Sequence, residues 1–488
     1  MLTRPISSNK VSAVITLIAA ILACAPSLAQ VDGGNPALRV FSADTALSEV
    51  SVVCRASSRL MSSVEEGDKW RSVSAEGRAD MRISDGWRAW GDAAYGRSVR
   101  AGVRWSESSD VAEVWPMAVA DTVGGDKDGE SYAFRAGFSW VGRGGGAGLE
   151  VSYSSLCEFR MVDPRPKSDA VSAEVRLGGA WQLKRASFGA FGLLRKYSQD
   201  VDIDFYNVQG ARATIYHMTG LGTDYSRFAG AYDEAVFKGR TVGGGLQFRG
   251  FANAQVEFSH RHMEKILPDV QNALISETLG DRLSFEMSRP GVMGGWQTGL
   301  SVFGSVKRLN LKTIIYDDGA KGYRQIAVRQ PYEQKGVNVG LAALMRKDGV
   351  ATLRAAASYG SHSEENTDAR REIDVKDVRA RLSVSRFMVW RRVDLACGGG
   401  VYGRVGVGKR CVLGAPRRTE SHGALLAVLH NYQLRSAGLA GVDADVRADL
   451  RLPRLARSAF LSVSGGWLWR SGGLPSGWVM SARAGVSF

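Results

Sequence analysis

From about residue 87 to the end of the chain, apolar and polar positions alternate one by one. Val99, Ala101, Val103 and Trp105 interleave with Arg100, Gly102, Arg104 and Ser106. Tyr132, Phe134, Ala136, Phe138 and Trp140 interleave with Ser131, Arg135, Gly137 and Ser139. The same holds for Val378 to Ser385 and for Val442 to Arg451. A period of two marks a strand with one apolar and one polar face. The pattern covers about 400 residues, in segments of roughly 10 or more. Soluble sandwiches run nearer 100 residues per domain, whereas a tilted strand needs about 10 residues to cross a bilayer. Lipid outside and water inside account for apolar-out, polar-in alternation, and closure satisfies every backbone group. The pattern therefore predicts an all-β fold, a transmembrane antiparallel β-barrel of about 16 strands (range 14–18), over residues 87–488.

That count does not agree with itself. If the long polar stretches near 313–336 and 362–375 are external, counting forward leaves the C-terminus on the wrong side by one strand. The expected cause is two strands merged near 391–413, or one split elsewhere. The longest stretch without alternation inside the barrel, about 200–240, carries Phe205, Tyr206, Tyr216, Tyr225 and Phe228, so it reads as an ordered loop.

Both ends carry signals of their own. Arg4 and Lys10 precede an apolar core, Val11 to Ala23, and Ser27-Leu28-Ala29 supplies small residues for cleavage, so 1–29 reads as a signal peptide. Lipidation at Cys24 is disfavoured by Leu22. Residues 30–86 alternate poorly and read as a periplasmic extension, a plug or a first strand pair. At the other end, Trp478, Met480, Ala482, Ala484, Val486 and Phe488 share one face, and the chain stops on Phe488. This resembles the terminal signal read by the barrel-assembly machinery, with Trp478, Val486 and Phe488 as its key residues.

Three further segments carry a narrower resemblance: Glu130-Ser131-Tyr132-Ala133-Phe134, then Phe159 to Lys167, then Tyr216 to Phe228. They are similar to an uncharacterised family of outer-membrane barrels, a domain of unknown function from Gram-negative gut and oral bacteria. The resemblance implies the cell outer membrane and a barrel fold, and assigns no catalytic residue.

Composition narrows the picture. After residue 30 no apolar run reaches the 18 or so residues of a spanning helix. With 58 Gly against 12 Pro, the chain suits long paired strands. The signal removes two basic residues, taking the net charge from +14 to +12. In an exported chain this points to anionic headgroups or an anion-attracting lumen, and nucleic acid is not expected as a partner. Expected partners are outer-membrane lipid, lipopolysaccharide and the assembly machinery, plus a solute or partner receptor of unknown identity. Cys54, Cys157, Cys397 and Cys411 survive processing, and Cys397 and Cys411 are close enough in sequence to join across a loop. No CxxC pair occurs.

Chemistry is sparse. There is no G-x-S-x-G and no H-E-x-x-H, so no enzyme and no cofactor are expected. His260 and His262 share a face but continue the outward series Ala254, Val256 and Phe258, which favours headgroup contact over metal. Gly220-Leu221-Gly222 lacks the context of a nucleotide loop. Asp163 and Arg165, around two prolines, read as a rigid turn or a ligand corner; His217, Asp224 and Arg227 read as loop contacts or ligand candidates. On lumen parity lie Arg100, Arg104, Arg135, Arg176, Arg354, Arg379, Arg381, Arg447, Arg451 and Arg483, against Glu150, Glu174, Asp443, Asp445 and Asp449. The expectation is a channel or uptake component for a polar solute, with anions favoured. The alternative is a surface binding or assembly protein whose barrel anchors its loops. Whether the loop at 200–240 folds inward or stands outside discriminates between them.

Overall fold

The computed structural model describes residues 34–488 apart from 42–46, 61–62, 185, 207–213, 231, 318–322, 417–419 and 453–456. The expected signal peptide, Gln30 and Cys24 lie outside the described residues.

Eighteen strands form one closed antiparallel sheet. In chain order they are β1 (Leu47–Ser58), β2 (Lys69–Ser84), β3 (Trp87–Val103), β4 (Gly125–Gly142), β5 (Gly145–Phe159) and β6 (Arg165–Leu183). Next come β7 (Ala186–Asp204), β8 (Ala235–Arg249), β9 (Asn253–Leu267), β10 (Ala273–Met293), β11 (Trp296–Tyr316) and β12 (Gln325–Lys347). The last six are β13 (Ala351–Asn366), β14 (Arg371–Trp390), β15 (Val393–Val412), β16 (Leu439–Arg451), β17 (Ser458–Arg470) and β18 (Gly477–Ser487). Each strand pairs with its chain neighbours, and β18 closes on β1 with Val486 opposite Val50. Closure removes both sheet edges.

The first pair, β1 and β2, comes from the segment with the weakest alternation, and sixteen strands follow residue 87. The expected merger near 391–413 is not found: Arg391 and Arg392 make a turn, and β15 is a single strand. Beyond it, the apolar run Ala424 to Leu429 belongs to a helix, α1 (His422–Ser436), inside a loop. Cys397 and Cys411 both lie on β15, where an extended backbone of about 3.3 Å per residue holds them far apart, and all four cysteines are free.

Connections at one end span two to six residues, and at the other up to thirty, which places the short turns, the start of β1 and the end of β18 on the periplasmic side. Trp87, Trp140, Trp181, Phe188, Trp390 and Phe488 gather beside those short turns as an exposed aromatic girdle. Above it, Val242, Leu246, Leu283, Phe285, Val302, Val306, Leu382 and Val384 face outward and are exposed, as lipid contact requires. This is an outer-membrane barrel.

Towards the outer end the alternation keeps its period but reverses its phase. On β7 the outward face changes from Phe188 and Leu194 to Lys196, Asp200 and Asp202. The inward face there becomes Tyr197, Val201 and Ile203, all buried. On β14, Ile373 and Val375 are buried between exposed or half-buried Glu372, Asp374 and Lys376. The strands thus rise beyond the membrane, with water outside and a packed core within. The main hydrophobic cluster lies inside the barrel: Val201, Phe237, Met263, Leu311 and Tyr332 on the wall meet Val114, Met117, Val119, Ile215 and Phe228 from the loops.

Candidate functional site: the plugged outer lumen

Two long external connections fold into the barrel. Val119–Ala120 from the β3–β4 connection pairs with Tyr216 and His217 from the β7–β8 connection, and Thr223–Asp224 adds a third short strand. The β3–β4 segment holds Val111, Val114, Trp115, Met117, Ala118 and Val119, too apolar to stand in water. That composition, in a stretch without alternation, is the signal in the sequence that this segment packs inside the barrel.

Buried charge locks the segment in place. Glu107 forms an ion pair with Lys127 at 3.1 Å and accepts from Arg160 at 3.0 Å, and Arg160 also pairs with Asp121. All four side chains are essentially inaccessible, so each charge depends on its partners. Lys265, fully buried on β9, donates to the Met117 and Ala118 carbonyls at 2.7 and 3.4 Å. Glu113 bridges Arg195 at 2.8 Å and Arg261 at 3.1 Å. Trp115 donates its indole N–H to the Tyr332 hydroxyl, which donates to Glu364. Glu364 also accepts from Arg435 of α1 at 2.8 Å, so one carboxylate ties the wall to the plug and to α1. On the wall, Lys127, Arg195, Arg261, Lys265, Tyr332 and Glu364 occupy ordinary inward positions, and Glu107, Glu113 and Asp121 lie in a connection without alternation, so none was legible as a partner in sequence.

A second, smaller stopper closes part of the periplasmic end. Pro36–Phe41 forms one 3-10 turn against β4, β5 and β6. A Cβ on Gly148, Gly178 or Gly189 would overlap Asn35, Pro36, Ala37 or Leu38. Arg39 lies over the Trp90 ring and pairs with Asp80 at 3.1 Å.

Between these closures lies a lumen cavity of about 620 Å³. Lys307, Asn338, His362, Arg379 and Arg404 line it from the wall, with Trp115 and Arg435 from the plug and α1. Asp377 holds Arg379 through two contacts, at 2.7 and 3.0 Å. Arg404 donates to the Leu434 and Ala437 carbonyls at the end of α1.

The loop candidates separate. Asp224 and Arg227 meet in an external pocket of about 260 Å³, with Thr219, Thr223, Arg329 and Glu420. Both Asp224 carboxylate oxygens are buried without a hydrogen-bond donor among the described residues. Burial, then the charge of Glu420, pushes this carboxyl up to about 6. Arg227 donates to the Tyr316 carbonyl at 2.6 Å. His217 is fully buried elsewhere, its Nε2 3.2 Å from the Tyr232 carbonyl; burial, and then Lys265, holds its ring well below the usual range, so it is neutral. Asp163 accepts from Arg165 at 3.0 Å at the β5–β6 turn, and Arg165 stacks on Tyr206. His260 and His262 face outward and pair with Asp281 and Glu277, at 2.8 and 2.9 Å. Among the described residues, no group of three or more His, Cys, Asp or Glu could hold a metal ion.

Of the ten arginines on lumen parity, eight form ion pairs. Arg100 pairs with Glu158, Arg135 with Asp92, Arg176 with Glu174 and Arg379 with Asp377. Arg381 pairs with Asp443, Arg447 with Glu49 and Asp449, Arg451 with Asp394 and Arg483 with Glu76. Arg104 falls just past β3 and is exposed, as is Arg354 on β13. Of the partner acids, Glu49, Glu76 and Asp394 lie on β1, β2 and β15, which contribute none of the ten arginines, while Asp92, Glu158 and Asp377 lie on β3, β5 and β14 outside the alternating stretches that gave ten basic residues against five acids. Trp478 sits at the outer end of β18, while Val486 and Phe488 sit at the periplasmic seam, where the Phe488 amide donates to Ser48 at 2.8 Å.

The chain is similar in structure to several solved proteins. BauA, the ferric preacinetobactin receptor from Acinetobacter baumannii, is 10% identical, with a TM-score of 0.43 over 92% of this chain and 80% of that one. The ferric enterobactin receptor PfeA from Pseudomonas aeruginosa, as a double mutant, is 9% identical, with a TM-score of 0.40 over 91% and 81%. CdiB from Acinetobacter baumannii is 8% identical, with a TM-score of 0.37 over 90% and 60%. No curated protein matches the sequence. Residues 36–488 match the model of the Family of unknown function (DUF6850), and the chain belongs to that family.

Proposed function

We propose that the protein is a gated uptake component for a small polar solute, closed at rest by its own external loops. One observation carries this reading: the plug sits over a cavity of about 620 Å³ that has Lys307, Arg379, Arg404 and Arg435 in its lining, rather than over a filled core. A barrel that only anchors a binding surface has no use for a chamber beneath its plug with charged side chains in the lining. An anionic solute is the favoured class, because Lys307, Arg379, Arg404 and Arg435 line the chamber against Glu65, Glu66 and Asp377, a margin of one positive charge. The ion pairs elsewhere in the lumen make this a local preference rather than a field along the whole pore.

Planar-bilayer recording tests the reading. The intact barrel should show little steady conductance in potassium chloride. A variant with residues 106–121 replaced by a short Gly-Ser linker should conduct, with a reversal potential on the anion side that weakens as salt rises above about 0.1 M. Replacing Lys307 with Gln in that background should reduce the preference. A correctly folded linker variant that does not conduct would favour the anchored binding protein instead.

A further inference from the structure

The outer wall carries a groove of about 510 Å³ across the upper ends of β1 to β5. Its floor is Cys54 and Ala56 on β1, Val73 on β2, Val99 on β3 and Phe159 on β5. The register stacks them in rows: Cys54 opposite Val73, and Ala56 opposite Arg71, which in turn faces Val99. These positions continue the outward series Val50 and Val52, which are 56% and 53% exposed, so the groove opens to the membrane and not to the lumen.

Its height follows from strand geometry. On β3, ten residues separate Trp87, in the periplasmic girdle, from Arg97 on the groove rim. At about 3.3 Å per residue and a tilt near 40°, this rise is about 25 Å, the height of the apolar band of such barrels. The Tyr95–Tyr132 ring pair, 5.0 Å apart, lies one step below Arg97. The groove therefore sits where the outer leaflet changes from acyl chain to headgroup.

The rim charges are unequally satisfied. Arg97 pairs with Glu130 at 2.6 Å and donates to the Tyr95 hydroxyl at 3.0 Å. Arg71 is exposed and, among the described residues, forms no ion pair. Asp128 stands on the opposite side of the groove, between Val99 and Phe159 in the register, and repels an anion from there. An apolar trough with one unmatched guanidinium at headgroup level presents the two chemistries of a phosphorylated lipid.

We propose that this groove seats one phosphorylated lipid of the outer leaflet, with an acyl chain along Cys54, Val73 and Val99 and a phosphate on Arg71. The site is independent of whether the lumen conducts.

Native mass spectrometry of the detergent-purified barrel, offered equal amounts of diphosphorylated lipid A and its dephosphorylated form, tests it. The wild type should retain one phosphorylated molecule in preference. Arg71→Ser should lower that preference about tenfold, the effect of one charge-assisted contact. Ala56→Trp, which fills the trough and keeps every charge, should abolish retention of both lipids. Heat-modifiable migration on gels verifies that each variant is folded. Equal retention of the two lipids by wild type, no retention at all, or wild-type behaviour in both variants would overturn the proposal.

Discussion

At the scale of single residues, which way a side chain points decides what a charge costs. Ala444 lies on the outward face of β16, opposite Gly399 and Gly465, about halfway up the apolar band. Ala444→Arg should destabilise the barrel by about 2–4 kcal/mol, the cost of an arginine at the bilayer midplane. Ser385→Arg faces the lumen, two strands from Asp445 across Gly398, and should cost little. Refolding titrations into lipid compare the two, and equal costs would mean that the faces are misassigned. A second residue-level expectation concerns acidity. Asp224 has an ordinary value of 3.8 and is held up to about 6, so the folded state binds a proton more readily than the unfolded chain does. Its contribution to stability is therefore fully present below the ordinary value and is lost as pH rises through about 6. Asp224→Asn should raise the unfolding midpoint at pH 7.5 and leave it unchanged near pH 3. A variant that follows the wild type across this range would show that the carboxyl does not titrate as its burial implies.

At the scale of elements, the plug and the wall are one cooperative unit. Removing Arg160 takes a cation from two buried carboxylates: Glu107 keeps only Lys127, and Asp121 keeps only the Val123 and Gly124 amides. Arg160→Met should cost about 3–5 kcal/mol, the usual penalty for breaking a buried charge pair from one side. It should also expose the β3–β4 connection to protease added outside the cell. Loss of stability without new cleavage would mean that the segment stays docked through its apolar contacts alone. This element also shows where alternation stops being informative. Strands were legible because lipid imposes a strict period of two. The inward loops were not, because a plug is shaped by the cavity it fills and follows no period. α1 hid for a related reason: Ala424, Leu425, Ala427 and Val428 bury against the plug, and so short an apolar run reads equally well as a strand.

At the scale of the whole molecule, closure is the last event in the chain. β18 pairs with β17 on one side and β1 on the other, so its final residues complete the seam. Phe488 is 58% exposed at the periplasmic rim, where lipid and assembly factors can reach it. Deleting Phe488, or Phe488→Asp, should sharply lower the amount of heat-modifiable barrel in the outer membrane. Wild-type amounts of folded protein would remove the terminal aromatic as an assembly determinant.

The sequence by itself determined the class, the environment and the direction of most side chains, because a bilayer acts on every spanning residue in the same local way. The ten clear arginines pointed to a basic lumen, but partners such as Asp92 for Arg135 and Glu158 for Arg100 become neighbours only through strand register. The same holds for the first strand pair, which needs β18 and β3 beside it to be recognisable as part of the wall. Tertiary structure alone decided that the lumen is roofed, since Lys265 and Met117 are 148 residues apart in the chain and meet only when the barrel closes around the loop. Local alternation reports the solvent that a residue sees, whereas occupancy of the lumen depends on contacts that no local pattern encodes.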